Sequence, residues 1–245
     1  MHLETNKFAT LDDFQEGVIL LIDKPHTWTS FDVVNKLRYQ IKKHFSIKKI
    51  KVGHAGTLDP LATGLLVICA GRMTKRINDF TTEEKTYTGT IKLGETRPSY
   101  DMETEVDGTF ATEHITPEMI QEVVVAMTGE IDQVPPLFSA KQVDGQRAYR
   151  AARKGKDLVL KSQKVTISRF DITSIDMPLV HFDIRCSKGT YIRSIASDFG
   201  TNLNSGACLA ALRRTYSGGF SIEDALTIEQ FESMLHKCEG SSIVD

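Results

Sequence analysis

Residues 53–64 read Gly-His-Ala-Gly-Thr-Leu-Asp-Pro-Leu-Ala-Thr-Gly and hold one carboxylate, Asp59, among small and apolar neighbours. Gly53, Gly56, Pro60 and Gly64 surround it, so the backbone there bends tightly or passes close to something. A charge in such a setting is costly without a partner or a task. An Asp followed by Pro is an ordinary helix start, the carboxylate capping and the Pro at the first helical position. A lone carboxylate is also able to act as a covalent nucleophile. Two-carboxylate glycoside chemistry needs a second acid, and no comparable partner for Asp59 is identifiable.

The elements that must position this segment are legible from periodicity. The apolar run Leu65–Ala70 follows directly and anchors the segment in a core. Gly17 to Pro25 reads as a short buried strand ending at the proline. Ser30 then caps an amphipathic helix with Phe31, Val34, Leu37 and Ile41 inside. Lys85 to Leu93 alternates, with Tyr87, Gly89, Ile91 and Leu93 on one face. Thr116-Pro117-Glu118 opens a helix that buries Ile120, Val123, Val124 and Met127 and stops at Gly129. Strands return at Val165–Ile172 and Leu179–Cys186. Gly189 to Arg193 turns into a helix carrying Ile195, Phe199 and Leu203, Cys208–Arg214 reads as a further short helix, and Thr227 with Gln230 makes a capping box. Runs of strand and helix without strict alternation give an α+β fold with a mixed, largely antiparallel sheet.

Bulk properties narrow the class. The chain has 245 residues, 40% of them hydrophobic, enough for one large core or two modest ones. Its net charge of −2 does not advertise a nucleic acid, but the distribution does. Lys36 to Lys51 holds seven Lys or Arg and no acid, and Lys141 to Lys164 holds eight against Asp144 and Asp157. Residues 95–132 carry ten acids and only Arg97. Such segregation builds a positive face on a near-neutral protein, although solvated helix and loop surface has the same composition. Cys69, Cys186, Cys208 and Cys238 lie far apart without metal-ligand spacing and read as reduced core thiols of a cytoplasmic protein. Neither a signal peptide nor a membrane-length apolar run is present. Residues 132–158 interrupt the regular pattern, and their Arg residues interleaved with aromatics suit a phosphate-binding arm.

The twelve-residue string resembles the catalytic aspartate motif of the TruB family of tRNA pseudouridine synthases, G-H-x-G-x-L-D-P-x-A-x-G. The resemblance extends over roughly residues 17–230. Ile22-Asp-Lys-Pro with Thr29-Ser30 is similar to the family's D-K-P-x-G-x-T-S motif, Lys85-Thr-Tyr87 to its K-x-Y motif, and Lys188 to Arg193 with Leu212-Arg-Arg214 to the remaining ones. Pro135-Pro-Leu-Phe-Ser-Ala resembles its RNA-gripping thumb loop. Thr27 stands where the family usually has Gly, Arg97-Pro-Ser-Tyr-Asp101 replaces a more usual Thr-Asp-Thr-x-Asp, and Gln142 stands where Lys is common.

The resemblance implies a pseudouridine-synthase-like catalytic domain over 17–245. It has a thumb insertion at about 132–158, an N-terminal extension over 1–16 and no complete C-terminal PUA domain. It implies conversion of the T-loop uridine of tRNA, position 55, to pseudouridine. That redox-neutral isomerisation breaks the N1–C1′ bond and joins C5 to C1′, with no cofactor and no metal. Asp59 would be the nucleophile, acting at C1′, at C6 or through a glycal. Arg193 would hold it ionised, and Tyr87 would pack on the flipped base and assist proton removal. Tyr191 and Leu212 would wall the pocket, and His54 would stack in the vacated space or contact the loop. Lys141, Arg147, Arg150, Arg153, Arg213 and Arg214 would meet phosphates. The partner is the T-arm stem-loop of tRNA, with no membrane and no obligate protein or guide RNA. A non-catalytic RNA-binding or RNA-folding protein would need the same basic surface but not Asp59.

Overall fold

The computed structural model describes residues 4–81, 84–138, 142–143, 146–147 and 160–238. In chain order α1 (Leu11–Glu16), β1 (Val18–Lys24), α2 (Ser30–His44), β2 (Val52–Ala55), β3 (Ala62–Ala70) and α3 (Ile77–Thr81) come first. β4 (Lys85–Leu93), β5 (Glu95–Thr96), β6 (Gly108–Thr109), α4 (Pro117–Met127) and β7 (Gly129–Gln133) follow. Then come β8 (Gln142–Val143), β9 (Gln146–Arg147), β10 (Gln163–Asp176), β11 (Leu179–Cys186) and α5 (Ile192–Asn202). β12 (Ala207–Ser217), β13 (Phe220–Ser221) and α6 (Ile228–Leu235) close the order. The fold is α+β, its strands mixed and largely antiparallel with helices beside them. Two compact units emerge, Met1–Lys85 with Arg213–Asp245, and Thr86–Leu212.

In the first unit β1 runs antiparallel to β3 from Val18↔Ala70 to Lys24↔Gly64. On its remaining edge β3 pairs with β2, Val52↔Ala70 to Ala55↔Val67, and with the end of β12. Both faces of β1 and β3 are covered, which is why these strands read as unbroken apolar runs rather than alternating ones. Leu20, Ile22, Leu66 and Ile68 meet Val33, Val34, Leu37 and Ile41 of α2 and Phe231 and Leu235 of α6. Ile19, Leu21, Leu65, Val67 and Cys69 face Phe80.

Helix α2 starts one residue earlier than expected. Thr29 is its N-cap, in a capping box with Asp32, and Ser30 lies inside the helix. The buried stripe therefore runs through Ser30, Val33, Val34, Leu37 and Ile41. Phe31, expected inside, lies off that stripe and is 60% exposed. The capping box at Thr227 and Gln230 forms as expected.

In the second unit β10 is flanked by β11 and β7, both antiparallel, and the first part of β12 lies beside β4. Tyr87, Ile91 and Leu93 are buried along β4. A Cβ at Gly89 would fall 2.5 Å from the Ala211 carbonyl oxygen and 2.5 Å from the Phe182 ring, so the absent side chain lets β12 and β11 come close. Helix α4 buries Ile120, Val123, Val124 and Met127 as expected. The stretch Cys208–Arg214, read as a helix, is strand instead, part of β12. The four cysteines are buried and unbridged. Of the expected phosphate contacts in the thumb, Lys141, Arg150 and Arg153 and the side chain of Arg147 lie outside the described residues.

Candidate active site

In the first unit Asp59 sits in the connection between β2 and β3, on a turn closed by a hydrogen bond from the Ala62 N–H to the Asp59 carbonyl at 3.1 Å. The Asp-Pro pair caps no helix; strand β3 begins three residues after Asp59. Asp59 is half-buried, and Leu58 beside it is buried. Ser30 holds this loop: its hydroxyl donates to the Leu58 carbonyl at 3.0 Å and accepts from the Leu58 N–H at 2.8 Å. The Thr27 N–H donates to the Pro60 carbonyl at 2.9 Å. Thr27 has φ +70, so a left-handed turn, at the position where the resemblance leads one to expect Gly, is held here by a β-branched residue.

Lys24, the last residue of β1, is fully buried. Its ammonium donates to the carbonyls of Trp28 at 2.5 Å, Pro25 at 3.1 Å and Pro60 at 3.2 Å. Burial brings its pKa down to about 8, with the Asp59 carboxylate opposing and Arg214 adding to the fall. Lys24 is thus both the strut of the Asp59 loop and an electrostatic neighbour of its carboxylate. The sequence signal for both roles is an amine placed where a buried strand ends.

Arg214 is corrected from its expected role as a phosphate contact. Its side chain is 1% exposed, and Nε donates to the Leu65 carbonyl at 2.7 Å and NH2 to the Gly56 carbonyl at 3.1 Å. A guanidinium spent on two backbone carbonyls in the core stitches β12 to the Asp59 loop. Gly56 has φ +86, and a Cβ there would stand 3.4 Å from the Arg214 guanidinium and 3.6 Å from Cε of Lys85. Arg213, also expected on phosphate, forms a fork with Asp23, at 3.0 Å and 2.7 Å. Gly64 has φ +100, and a Cβ on it would fall 2.3 Å from the Arg214 carbonyl oxygen. His54 lies on β2 opposite Ile68, half-buried, and burial together with the Arg214 charge lowers its pKa. Its Nδ1 is buried without a hydrogen-bond partner among the described residues.

In the second unit Arg193 is the second residue of α5 and is buried, not the exposed helix residue an arbitrary Arg would be. NH1 donates to the Ser99 carbonyl at 3.1 Å and NH2 to the Phe138 carbonyl at 2.8 Å. The Asp101 carboxylate lies 3.6 Å from NH1, both side chains being nearly inaccessible. The loop that departs from the family's pattern, Arg97 to Asp101, is therefore built around this guanidinium. The Ser99 hydroxyl bridges to the Asp101 carbonyl at 3.0 Å and Thr104 at 2.8 Å, and the Glu103 N–H donates to Asp101 Oδ1 at 3.0 Å. Tyr191 caps α5, half-buried, its backbone N–H and carbonyl both bound by the buried Gln133 side chain. Tyr87 is 7% exposed on β4, and Leu212 is half-buried on β12.

Asp101 and Gln133 were not anticipated as parts of the site. No group of three metal-ligating side chains occurs among the described residues, and no described helix is long and apolar enough to cross a membrane.

The chain matches two family models. Residues 42–192 match the TruB family pseudouridylate synthase N-terminal domain, and residues 193–242 the tRNA pseudouridylate synthase B C-terminal domain. It is 49% identical to tRNA pseudouridine synthase B of Phocaeicola vulgatus, over 95% of this chain and 99% of that one. It is 52% identical to the protein of the same name from Flavobacterium johnsoniae, over 92% and 99%. Among solved structures, a chain in the crystal structure of a Cbf5–Nop10–Gar1 complex superposes with a TM-score of 0.68 at 26% identity. The match covers 94% of this chain and 60% of that one.

Proposed function

We propose that this chain, which belongs to the TruB family of pseudouridylate synthases, isomerises uridine to pseudouridine in the T-loop of tRNA, at position 55 by family analogy. The observation that carries the reading is the Asp59 loop. Its carboxylate is not spent on a helix cap, and the loop is held by Ser30, Lys24 and Thr27 on an apolar strand. A carboxylate fixed in this way is preorganised as a nucleophile, which divides one difficult substitution into two easier steps. The N1–C1′ bond breaks, the uracil turns and C5 joins C1′; a proton then leaves C5 and N1 takes one up, so the product is an isomer of the substrate and the carboxylate is regenerated. No electrons are exchanged.

The target base must leave its stack to meet a recessed acid, at a cost of a few kcal/mol partly recovered by packing against side chains. Tyr87 is the ring for that contact, and its hydroxyl assists proton removal. Tyr191 and Leu212 supply further wall, and His54 serves the loop around the extruded nucleotide. Arg193 is assigned by family analogy to keep the acid ionised; within its own unit the Ser99 and Phe138 carbonyls hold its guanidinium. The substrate is recognised through loop shape and backbone rather than through paired sequence. The enzyme acts on naked tRNA, without a guide RNA or protein partner.

Carbodiimide modification followed by primer extension on T-arm RNA tests the reading: purified protein should leave a single stop at the T-loop uridine. Asp59→Asn should abolish the stop while RNA binding persists. Unmodified RNA after incubation with the unsubstituted protein would refute catalysis and leave a binding or folding role.

A further inference from the structure

We infer that the hollow of about 500 Å³ lined by Arg38, Lys42, Lys48, Lys49, Ile50 and Lys51 is a second RNA contact, seating the phosphodiester backbone of a substrate stem away from the extruded nucleotide. The inference rests on the proposed tRNA substrate.

Lys42 stands in the last turn of α2, where a cation complements the negative end of the helix dipole. That accounts for Lys42 but not for Lys48, Lys49 and Lys51, which lie beyond the helix end and are exposed. Among the described residues none of these four ammonium groups has an ion-pair or hydrogen-bond partner. No acid occurs between Lys36 and Lys51. Like charges gathered without counter-charges raise the energy of the protein alone, and that cost is recovered when an anion is bound.

The hollow is also built. Arg38 is braced to the Asn35 side chain at 3.0 Å and to the Val52 carbonyl at 3.0 Å, so one wall is fixed before any ligand arrives. Cationic side chains with no acid to mark a direction suit a repeating phosphate backbone rather than a single small anion.

Distance separates this contact from the chemistry. Ser30, at the start of α2, binds Leu58 beside Asp59. The fifteen residues of α2 then carry the chain about 22 Å to the basic end. A phosphate in the hollow therefore belongs to a part of the RNA well removed from the reacting uridine. Its contribution is binding that is the same in ground and transition states, which changes KM and not kcat.

The test compares the unsubstituted protein with K48A/K49A/K51A and with K48R/K49R/K51R, using one full-length tRNA transcript for both binding and turnover. Each lost phosphate contact removes roughly 0.7–0.9 from the slope of log affinity against log salt, so the alanine variant should show a slope smaller by about 2. Its KM at low salt should rise ~10-fold with kcat near that of the unsubstituted protein, and the arginine variant should restore both. Equal affinity and equal salt slope in the alanine variant would overturn the inference and leave the hollow to some other acidic partner. Loss of turnover in the unsubstituted protein, with the slope difference still present, would refute the proposed reaction and leave this RNA contact standing.

Discussion

The Gln133 side chain binds both backbone groups of Tyr191: its carbonyl accepts from the Tyr191 N–H at 2.8 Å and its amide nitrogen donates to the Tyr191 carbonyl at 3.1 Å. One buried amide at the end of β7 thus fixes the entry of α5, and with it the residue proposed to wall the uracil pocket. Gln133→Leu should leave two polar groups unpaired and cost about 2 kcal/mol, read as a lower melting temperature. Gln133→Glu, keeping the acceptor and losing the donor, should fall between. A Gln133→Leu variant as stable as the unsubstituted protein would show that water replaces the pair.

Arg193 serves two loops and one acid in its own unit. Arg193→Lys retains the charge but not the fork, so Ser99, Phe138 and Asp101 cannot all be met at once. The expected cost is about 2 kcal/mol. Amide hydrogen exchange should quicken at Ser99 and Glu103, whose N–H groups are held at 3.1 Å and 3.0 Å within this loop. Unchanged exchange at both amides would separate the loop from the guanidinium.

Lys24 makes stability depend on pH in an unusual direction. Its folded pKa of about 8 lies below the ordinary lysine value of 10.5, chiefly because it is buried. The folded chain therefore binds fewer protons than the unfolded chain between those values, and this group's contribution to stability rises as pH climbs from about 8 to 10.5. Below pH 8 the lysine is charged in both states and its contribution is flat. Urea unfolding at pH 7.5, 9 and 10, compared with Lys24→Met, isolates this term. The methionine variant should lose the rise and, with the Trp28, Pro25 and Pro60 carbonyls no longer bonded to an ammonium, about 3 kcal/mol at pH 7.5.

Thr27 stands at φ +70, a region that costs a β-branched residue about 1–3 kcal/mol. Glycine removes that strain and adds up to about 1 kcal/mol of unfolded-state entropy. Thr27→Gly should therefore gain about 1 kcal/mol in denaturant unfolding. A lower midpoint would mean that the hydrogen bond from its hydroxyl to the His26 carbonyl, 2.6 Å long, outweighs the backbone term.

The order of strands and helices was largely legible, because β1 and β3 are unbroken apolar runs while β4 and α4 carry clear burial periods. The stretch Cys208–Arg214 misled because Leu, Ala and Arg favour helix in isolation, while its flanks beside β3 and β4 demand strand. Phe31 misled by a single position, since the cap is Thr29 and the inner stripe turns with it. In the site, the tight bend around Asp59 was readable from its glycines and proline, and its Asp-Pro pair is not a helix start. Arg214 was not readable in the same way: a cation next to Arg213 looks like surface until the carbonyls of Leu65 and Gly56 are seen around it. Nothing in sequence spacing announces that Asp101 belongs to Arg193, because their proximity comes from a loop 92 positions away along the chain.

Gly64 ends the aspartate motif, and its neighbour is a strand rather than a ligand. With 2.3 Å between a would-be methyl group and the Arg214 oxygen, even alanine must push β12 aside, and that displacement would drag the guanidinium that grips Gly56. A side chain at this position thus acts on assembly before it acts on turnover. A change there would be noticed first as a chain that fails to accumulate, with the chemistry of the acid five residues upstream never put to trial.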